Sequence, residues 1–352
     1  MNGVDYRIAA DSLENQQAVL QPVRTMGMEE NAVLYARGLE CMFLDDDGSI
    51  TPVLHDLHLE LQSGARLGLL GESGCGKSVT ARCMMGIETG IPGLVDGEIL
   101  VKLDRPAQRI VTPDSISEGR WRRIYGFDTV DRSRHVLRQA RCRHDRAMAG
   151  LRGASIAMIF QEHRAALDPL LTIGRQLDIT LRAAFPEMSV AERRRNVETW
   201  LETVNLAGCG RLFPCQLSGG MSQRAMIALA LCSEPRILIA DEPTTNLDSV
   251  SAAAILSRIG DLSKKKGLSV ILITHDVEAI LAHSTHVAVM LGGTTVEYGP
   301  NPGPDAPPGT WLHPYTRFLM EQRRFDAAAA DNLPPGVSPA DMGARRHGGR
   351  CP

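Results

Sequence analysis

Leu67-Gly68-Leu69-Leu70-Gly71-Glu72-Ser73-Gly74-Cys75-Gly76-Lys77-Ser78 is the stretch on which the fold turns. Leu67 to Leu70 reads as a short apolar strand and Val79 to Met85 as a helix, so the glycine-rich segment between them is a strand-to-helix turn. Its glycines let the backbone curl around phosphate oxygens. Gly71, Glu72, Ser73, Gly74, Cys75, Gly76, Lys77, Ser78 and Val79 form the candidate cradle for a nucleotide's phosphates. Lys77 offers a cation to the β and γ phosphates, and the Ser78 hydroxyl offers a ligand for Mg²⁺. Cys75 sits in this electropositive loop, which favours a reactive thiolate.

Two further segments extend the pattern. Arg236-Ile237-Leu238-Ile239-Ala240-Asp241-Glu242-Pro243 has four apolar residues that suit a buried parallel strand. Two carboxylates stand at its C-terminal end, where open α/β sheets place ligands. Adjacent strand residues point to opposite sides, so Asp241 and Glu242 have different jobs. Asp241 suits Mg²⁺. Glu242 suits a general base acting on water, an effect worth roughly 10²–10⁴-fold in rate. Downstream of the first loop, Leu217-Ser218-Gly219-Gly220-Met221-Ser222-Gln223-Arg224 precedes the apolar run of a helix and makes a second glycine-rich helix start. Free N–H groups and the positive dipole end face outward there, which is an anion site. One chain with two such sites either uses both on one ligand or shares one with a partner.

Leu-Ser-Gly-Gly-x-x-Gln resembles the signature motif of ATP-binding cassette (ABC) ATPases, and this resemblance implies sharing. It spans roughly residues 34–300 and continues in fragments to 320. It implies an α/β P-loop NTPase of ABC cassette type, with a RecA-like core sheet, an antiparallel β-subdomain and a helical signature subdomain. In the family, the glutamine matching Gln161 touches Mg²⁺ and the lytic water, and the histidine matching His275 contacts the γ-phosphate. Asn246-Leu247-Asp248 matches the loop pressed against the opposite subunit, and Phe43 aligns with the aromatic that stacks on adenine. By the same resemblance, Leu217, Ser218, Gly219, Gly220 and Gln223 serve a partner's ATP.

Composition agrees. The net charge of −3 and the low aromatic content (4%) give no reason to expect nucleic acid. No apolar run approaches the ~18 residues that span a bilayer. Residues 1–30 lack a signal-peptide pattern, so the protein is expected on the cytoplasmic side of the cell membrane. Cys41, Cys75, Cys83, Cys142, Cys209, Cys215, Cys232 and Cys351 make no CxxC pair and read as reduced thiols.

The expected organisation is a loose extension over 1–33, with Met26 and Met28 as alternative starts, a cassette over 34–300 and a C-terminal extension over 301–352. Residues 34–70 alternate apolar and polar around a turn at Asp45-Asp46-Asp47-Gly48, which predicts antiparallel strands. Residues from about 161 to 233 are mostly helical in pattern, and the resemblance implies that they form the helical subdomain, whose groove beside Gln161 would receive a short helix of a membrane subunit. Residues 104–152 are an insertion relative to the family, rich in arginine (Arg120, Arg122, Arg123, Arg132, Arg134, Arg138, Arg141, Arg143, Arg146) with acids interspersed. They read as a solvated, partly helical excursion, with contact to anionic lipid or a partner subunit as the alternative; the interspersed acids and missing aromatic interleaving argue against nucleic acid.

Met158-Ile159-Phe160-Gln161-Glu162, Leu167-Asp168-Pro169-Leu170, Glu297-Tyr298-Gly299-Pro300 and His313-Pro314-Tyr315-Thr316 resemble the oligopeptide, dipeptide and nickel importer branch. His163-Arg164-Ala165-Ala166 departs from that branch's usual Pro-Met-Thr-Ser. The resemblance implies a hydrolase that powers peptide uptake with ATP and Mg²⁺. Its partners would be a second, identical or paralogous ABC ATPase subunit, two transmembrane permease subunits and an external solute-binding protein. Nickel or metal–chelator import and an exporter ATPase are the alternatives. Some members hold an iron–sulfur cluster on four C-terminal cysteines; Cys351 alone cannot, so no cluster is expected.

Overall fold

The computed structural model describes residues 31–44, 49–88, 92–102, 121–126, 143–245, 247–307 and 310–321. The turn expected at 45–48, the extension over 1–30, Asn246 and Cys351 lie outside these residues. The chain divides into two units, Met1–Asn301 and Pro302–Pro352.

Two sheets organise the first unit. β1 (Ala32–Leu44), β2 (Ile50–Gln62), β4 (Pro92–Lys102) and β5 (Trp121–Gly126) form an antiparallel sheet in the order β2-β1-β4-β5. β1 and β2 pair from Ala32↔Gln62 to Leu44↔Ile50, the hairpin that the alternating pattern predicted. The second sheet has the order β10-β9-β3-β8-β7-β6. Its strands are β3 (Arg66–Leu70), β6 (Ile156–Ile159), β7 (Ile237–Asp241), β8 (Ser269–Ile273), β9 (His286–Leu291) and β10 (Thr294–Pro300). β9-β3-β8-β7-β6 are parallel, and β10 returns antiparallel on the β9 edge. β6, β7 and β8 are buried at every position, which is why their sequences are apolar runs, with polar residues only at the ends (Asp241, Ser269), rather than alternating ones.

The arginine-rich insertion contributes more than a helical excursion. Trp121–Gly126 is a strand, and it pairs with β4 from Lys102↔Trp121 to Glu98↔Gly126. β4 would otherwise present an open edge on that side, and Trp121, Ile124 and Tyr125 have the residue types that suit a strand. Residues 143–149 form a helix (α2), as the partly helical reading expected.

Helices pack on the sheets and on one another, and local signals set their ends. α1 (Lys77–Met85) follows the phosphate-loop sequence and stops at Gly86 in the left-handed conformation. α3 (Ile173–Ala184) is capped by the Thr172 side chain and buries Ile173, Leu177 and Leu181. α4 (Val190–Thr203) opens with a full Ser189–Glu192 capping box. α5 (Gly219–Leu231) starts at Ser218, α6 (Ser249–Lys266) at Asp248 and α7 (Val277–His283) at Asp276, each side chain accepting from the N–H three residues on. α7 sits on β3 only because residue 68 is glycine: a Cβ there would lie 2.3 Å from Ile280 Cγ2 and 2.7 Å from Ser284 Oγ.

One core joins the layers. Leu34, Leu39 and Leu59 of the antiparallel sheet, Leu67, Ile239 and Ile271 of the parallel sheet and Met84 of α1 belong to the same buried cluster. In the second unit, a helix over 314–321 follows a turn in which Arg317 donates to the carbonyls of Trp311 and Leu312 at 2.9 and 2.8 Å.

Candidate functional site

Four neighbouring strands, β3, β8, β7 and β6, end on the same side of the sheet, and each is followed by a residue singled out from sequence. The glycine-rich loop follows β3, His275 follows β8, Asp241 and Glu242 close β7, and Gln161 follows β6. This is the carboxyl edge at which open α/β sheets bind ligands. The result is a cleft of about 360 Å³ lined by Ser73, Gly74, Gly76, Lys77, Ser78, Val79, Gln161, Asp241, Glu242 and His275, with Val53, Thr245 and Ile273.

The loop's shape depends on Gly76, the N-cap of α1, at φ +100. An added Cβ would also meet Leu54 Cδ2 at 2.7 Å. The loop turns back on itself: Lys77 Nζ donates to the carbonyl oxygens of Gly71 (2.7 Å) and Glu72 (2.8 Å). Gly71, Glu72 and Cys75 therefore shape the loop and hold Lys77 rather than line the cleft. Cys75 is buried, and its thiol is pushed above the usual range by that burial, which outweighs the cationic Lys77 3.6 Å away. The expected reactive thiolate is corrected accordingly: desolvation disfavours the charged form more than one ammonium group favours it.

Asp241 and Glu242 do diverge. Asp241 is 1% exposed and accepts a 3.1 Å hydrogen bond from Ser78 Oγ across 163 positions of sequence. Burial raises its pKa, against the opposing pull of the Ser78 hydroxyl. Glu242 adopts φ +50, a left-handed conformation rare outside glycine and costing on the order of 1–3 kcal/mol. Its N–H donates to the Ile273 carbonyl at 2.9 Å, which ties the turn to β8. The carboxylate is then surrounded by donors. Oε1 accepts from the His275 backbone N–H at 3.0 Å and lies 2.9 Å from His275 Nδ1. Oε2 accepts from Thr245 Oγ1 at 2.9 Å and from Thr274 Oγ1 at 3.3 Å. The His275 side chain is three-quarters exposed, so one face of this dyad opens on the cleft.

The remaining sequence-derived residues lie elsewhere. Phe43 is half-buried against the core and does not line the cleft; Val53 of β2 does, at a position that carries no distinguishing sequence signal. Thr245 was also missed, although a hydroxyl just past the carboxylate pair was a signal available to be read. Ser218 caps α5 through a 3.3 Å bond from the Met221 N–H, and a Cβ on Gly219 would meet nothing within 4 Å. Leu217, Ser218, Gly219 and Gly220 thus present a helix start outside this chain's own cleft. Gln223 is 2% exposed and donates to the Glu242 carbonyl at 3.4 Å, tying the second glycine-rich helix to the base of the first site. Asp248 caps α6 by accepting from the Ser251 N–H at 2.9 Å, and the Ser251 hydroxyl first, then that N–H, lowers its pKa.

Residues 54–245 match the ABC transporter family model. The dipeptide transport ATP-binding protein DppD of Bacillus subtilis is 35% identical over 91% of this chain and 87% of its own length. The oligopeptide transport ATP-binding protein OppD of Lactococcus lactis is 34% identical over 87% of this chain and 80% of its own. Among solved structures, the dimeric bacterial ABC transporter cassette MJ0796 superposes with a TM-score of 0.57 at 23% identity, covering 77% of this chain and 99% of that one. The cradle before α1, the split roles of Asp241 and Glu242, and the helix start at Ser218 are thus arranged on a fold and a sequence that agree: the chain belongs to the ABC transporter family.

Proposed function

We propose that this chain is the ATP-hydrolysing subunit of a peptide importer, seated on the cytoplasmic face of the cell membrane. It would work with a second ABC ATPase subunit, two transmembrane permease subunits and an external solute-binding protein. One observation carries the reading. The residues suited to bind and hydrolyse a nucleotide line one cleft, whereas Ser218, Gly219 and Gly220 do not line it, which leaves that helix start available to a cleft on another subunit. The peptide assignment rests on the similarity to DppD and OppD. Among the described residues no helix is long and apolar enough to cross a membrane, which fits a subunit that depends on others for the pathway itself.

In this mechanism the loop over Ser73–Ser78 cradles the phosphates of ATP and Lys77 turns from its backbone acceptors to them. The hydroxyl of Ser78, the carboxamide of Gln161 and the carboxylate of Asp241 are hard oxygen donors, the set that Mg²⁺ prefers, and a cation would offset the burial that raises Asp241's pKa. When bound there, Mg²⁺ neutralises charge on the phosphate oxygens. Glu242 accepts a proton from the attacking water, and His275 orients Glu242 and faces the γ-phosphate. Ser218, Gly219 and Gly220 offer N–H groups to the partner's ATP, and Asp248 lies in the loop that meets that partner. Reconstitution with the permease subunits and binding protein in proteoliposomes tests the reading. ATP-driven accumulation of labelled di- or oligopeptide is expected, and ATP hydrolysis without peptide uptake would overturn the import assignment.

A further inference from the structure

A second cleft lies away from the nucleotide site, and no residue lines both. It has a volume of about 110 Å³ and sits where α4, α5 and α6 meet. Trp200, Ile227, Leu231 and Ile255 give it an apolar wall, and the cations Arg224 and Arg258 stand at its margin. Arg224 Nε is buried and has no hydrogen-bond partner among the described residues. A buried charged donor left in that state is costly, and an anionic acceptor would relieve it. Among the described residues no carboxylate side chain lines the cleft.

We propose that this cleft is a binding site for a small monocarboxylate with an apolar tail, its carboxylate on Arg224 and its tail against Trp200, Ile227 and Ile255. The volume of about 110 Å³ limits the tail to about four or five carbons, because an engineered apolar cavity of about 150 Å³ holds a six-carbon ring. With Arg224 and Arg258 and no acid among the described lining residues, an ammonium group would be repelled there, so the cleft selects against a zwitterion. The ligand class is therefore a simple carboxylate rather than an amino acid. Occupancy would bridge α5, which starts at Ser218, and α6, which starts at Asp248.

Calorimetric titration of the full chain with 4-methylpentanoate tests this, alongside 4-methylpentanamide and leucine at the same concentrations. Saturable one-to-one binding of the carboxylate is expected, with the amide and leucine each at least about tenfold weaker, the scale of one hydrogen bond to a charged group. Arg224→Gln is expected to weaken the carboxylate by a similar factor. Ala254→Phe, at an exposed position of α6 that lines the cleft, is expected to block it while leaving the melting temperature unchanged. No saturable binding up to millimolar carboxylate, equal binding of acid and amide, or undiminished binding to a folded Ala254→Phe chain would each overturn the proposal.

Discussion

Glu242 is the residue on which the nucleotide site converges, because its left-handed backbone turns the carboxylate to His275, Thr245 and Thr274 while Asp241 stays with Ser78. Glu242→Gln keeps the shape and loses the base. Turnover is expected to fall by at least about 100-fold with nucleotide affinity within about twofold of wild type, read by phosphate release and equilibrium binding. Unimpaired turnover would remove Glu242 from the role of base. Cys75 makes the opposite point, since its surroundings silence it. Its buried thiol, held above the ordinary range, is expected to react with a maleimide at neutral pH far more slowly than the exposed Cys215, as followed by mass spectrometry of the ligand-free chain.

At the scale of elements, close packing of α7 on β3 is a prerequisite for the cleft, since β3 delivers the phosphate loop. Gly68→Ala forces a methyl group into Ile280. A loss of about 1–3 kcal/mol is expected, visible as a lower denaturant midpoint. A double-mutant cycle with Ile280→Ala, which removes the clashing Cγ2, should cost less than the sum of the two single changes; strict additivity would show that the clash is not the cause. α2 carries a different constraint. His144 is 6% exposed beside Arg152, and burial first, then that guanidinium, lowers its pKa from 6.5 to about 4. Between those values the unfolded chain binds a proton that the folded one does not, so stability is present above pH 6.5 and is lost as pH falls toward 4. The gap corresponds to about 3 kcal/mol. Chemical denaturation of the wild type and His144→Gln at pH 7 and pH 5 should show a smaller acid loss in the variant.

Across the whole molecule, the feature with the most consequence is the separation of the two glycine-rich helix starts. A chain that holds half of each composite site should hydrolyse ATP with a specific activity that rises with protein concentration. Glu242→Gln should, by stalling the reaction, accumulate a dimer on size-exclusion chromatography with ATP. Concentration-independent activity of a monomer would show that one chain suffices. Gln223 gives that separation a physical link inside the chain, because it runs from the Ser218 helix to the Glu242 carbonyl.

Much of this was legible without coordinates because it is written in contiguous residues. An apolar run ending in Gly71–Ser78 can only be a strand, a phosphate-wrapping turn and a helix, and the caps at Ser189, Ser218 and Asp248 are local hydrogen bonds between near neighbours. That Asp241 and Glu242 point to different places was also expected from strand alternation, although the strand ends at Asp241 and the left-handed turn at Glu242 is what separates them. What the tertiary structure alone decided depends on partners distant in sequence. The strand order β3-β8-β7-β6 brings Ser78 to Asp241 and Glu242 to His275. Tertiary packing also puts Val53 rather than Phe43 in the cleft, pairs the insertion's Trp121–Gly126 with β4, and buries Cys75 so that its thiol is pushed above the usual range. Motif spacing encodes which groups are available, but distance, desolvation and left-handed strain arise only when separate strands are packed side by side.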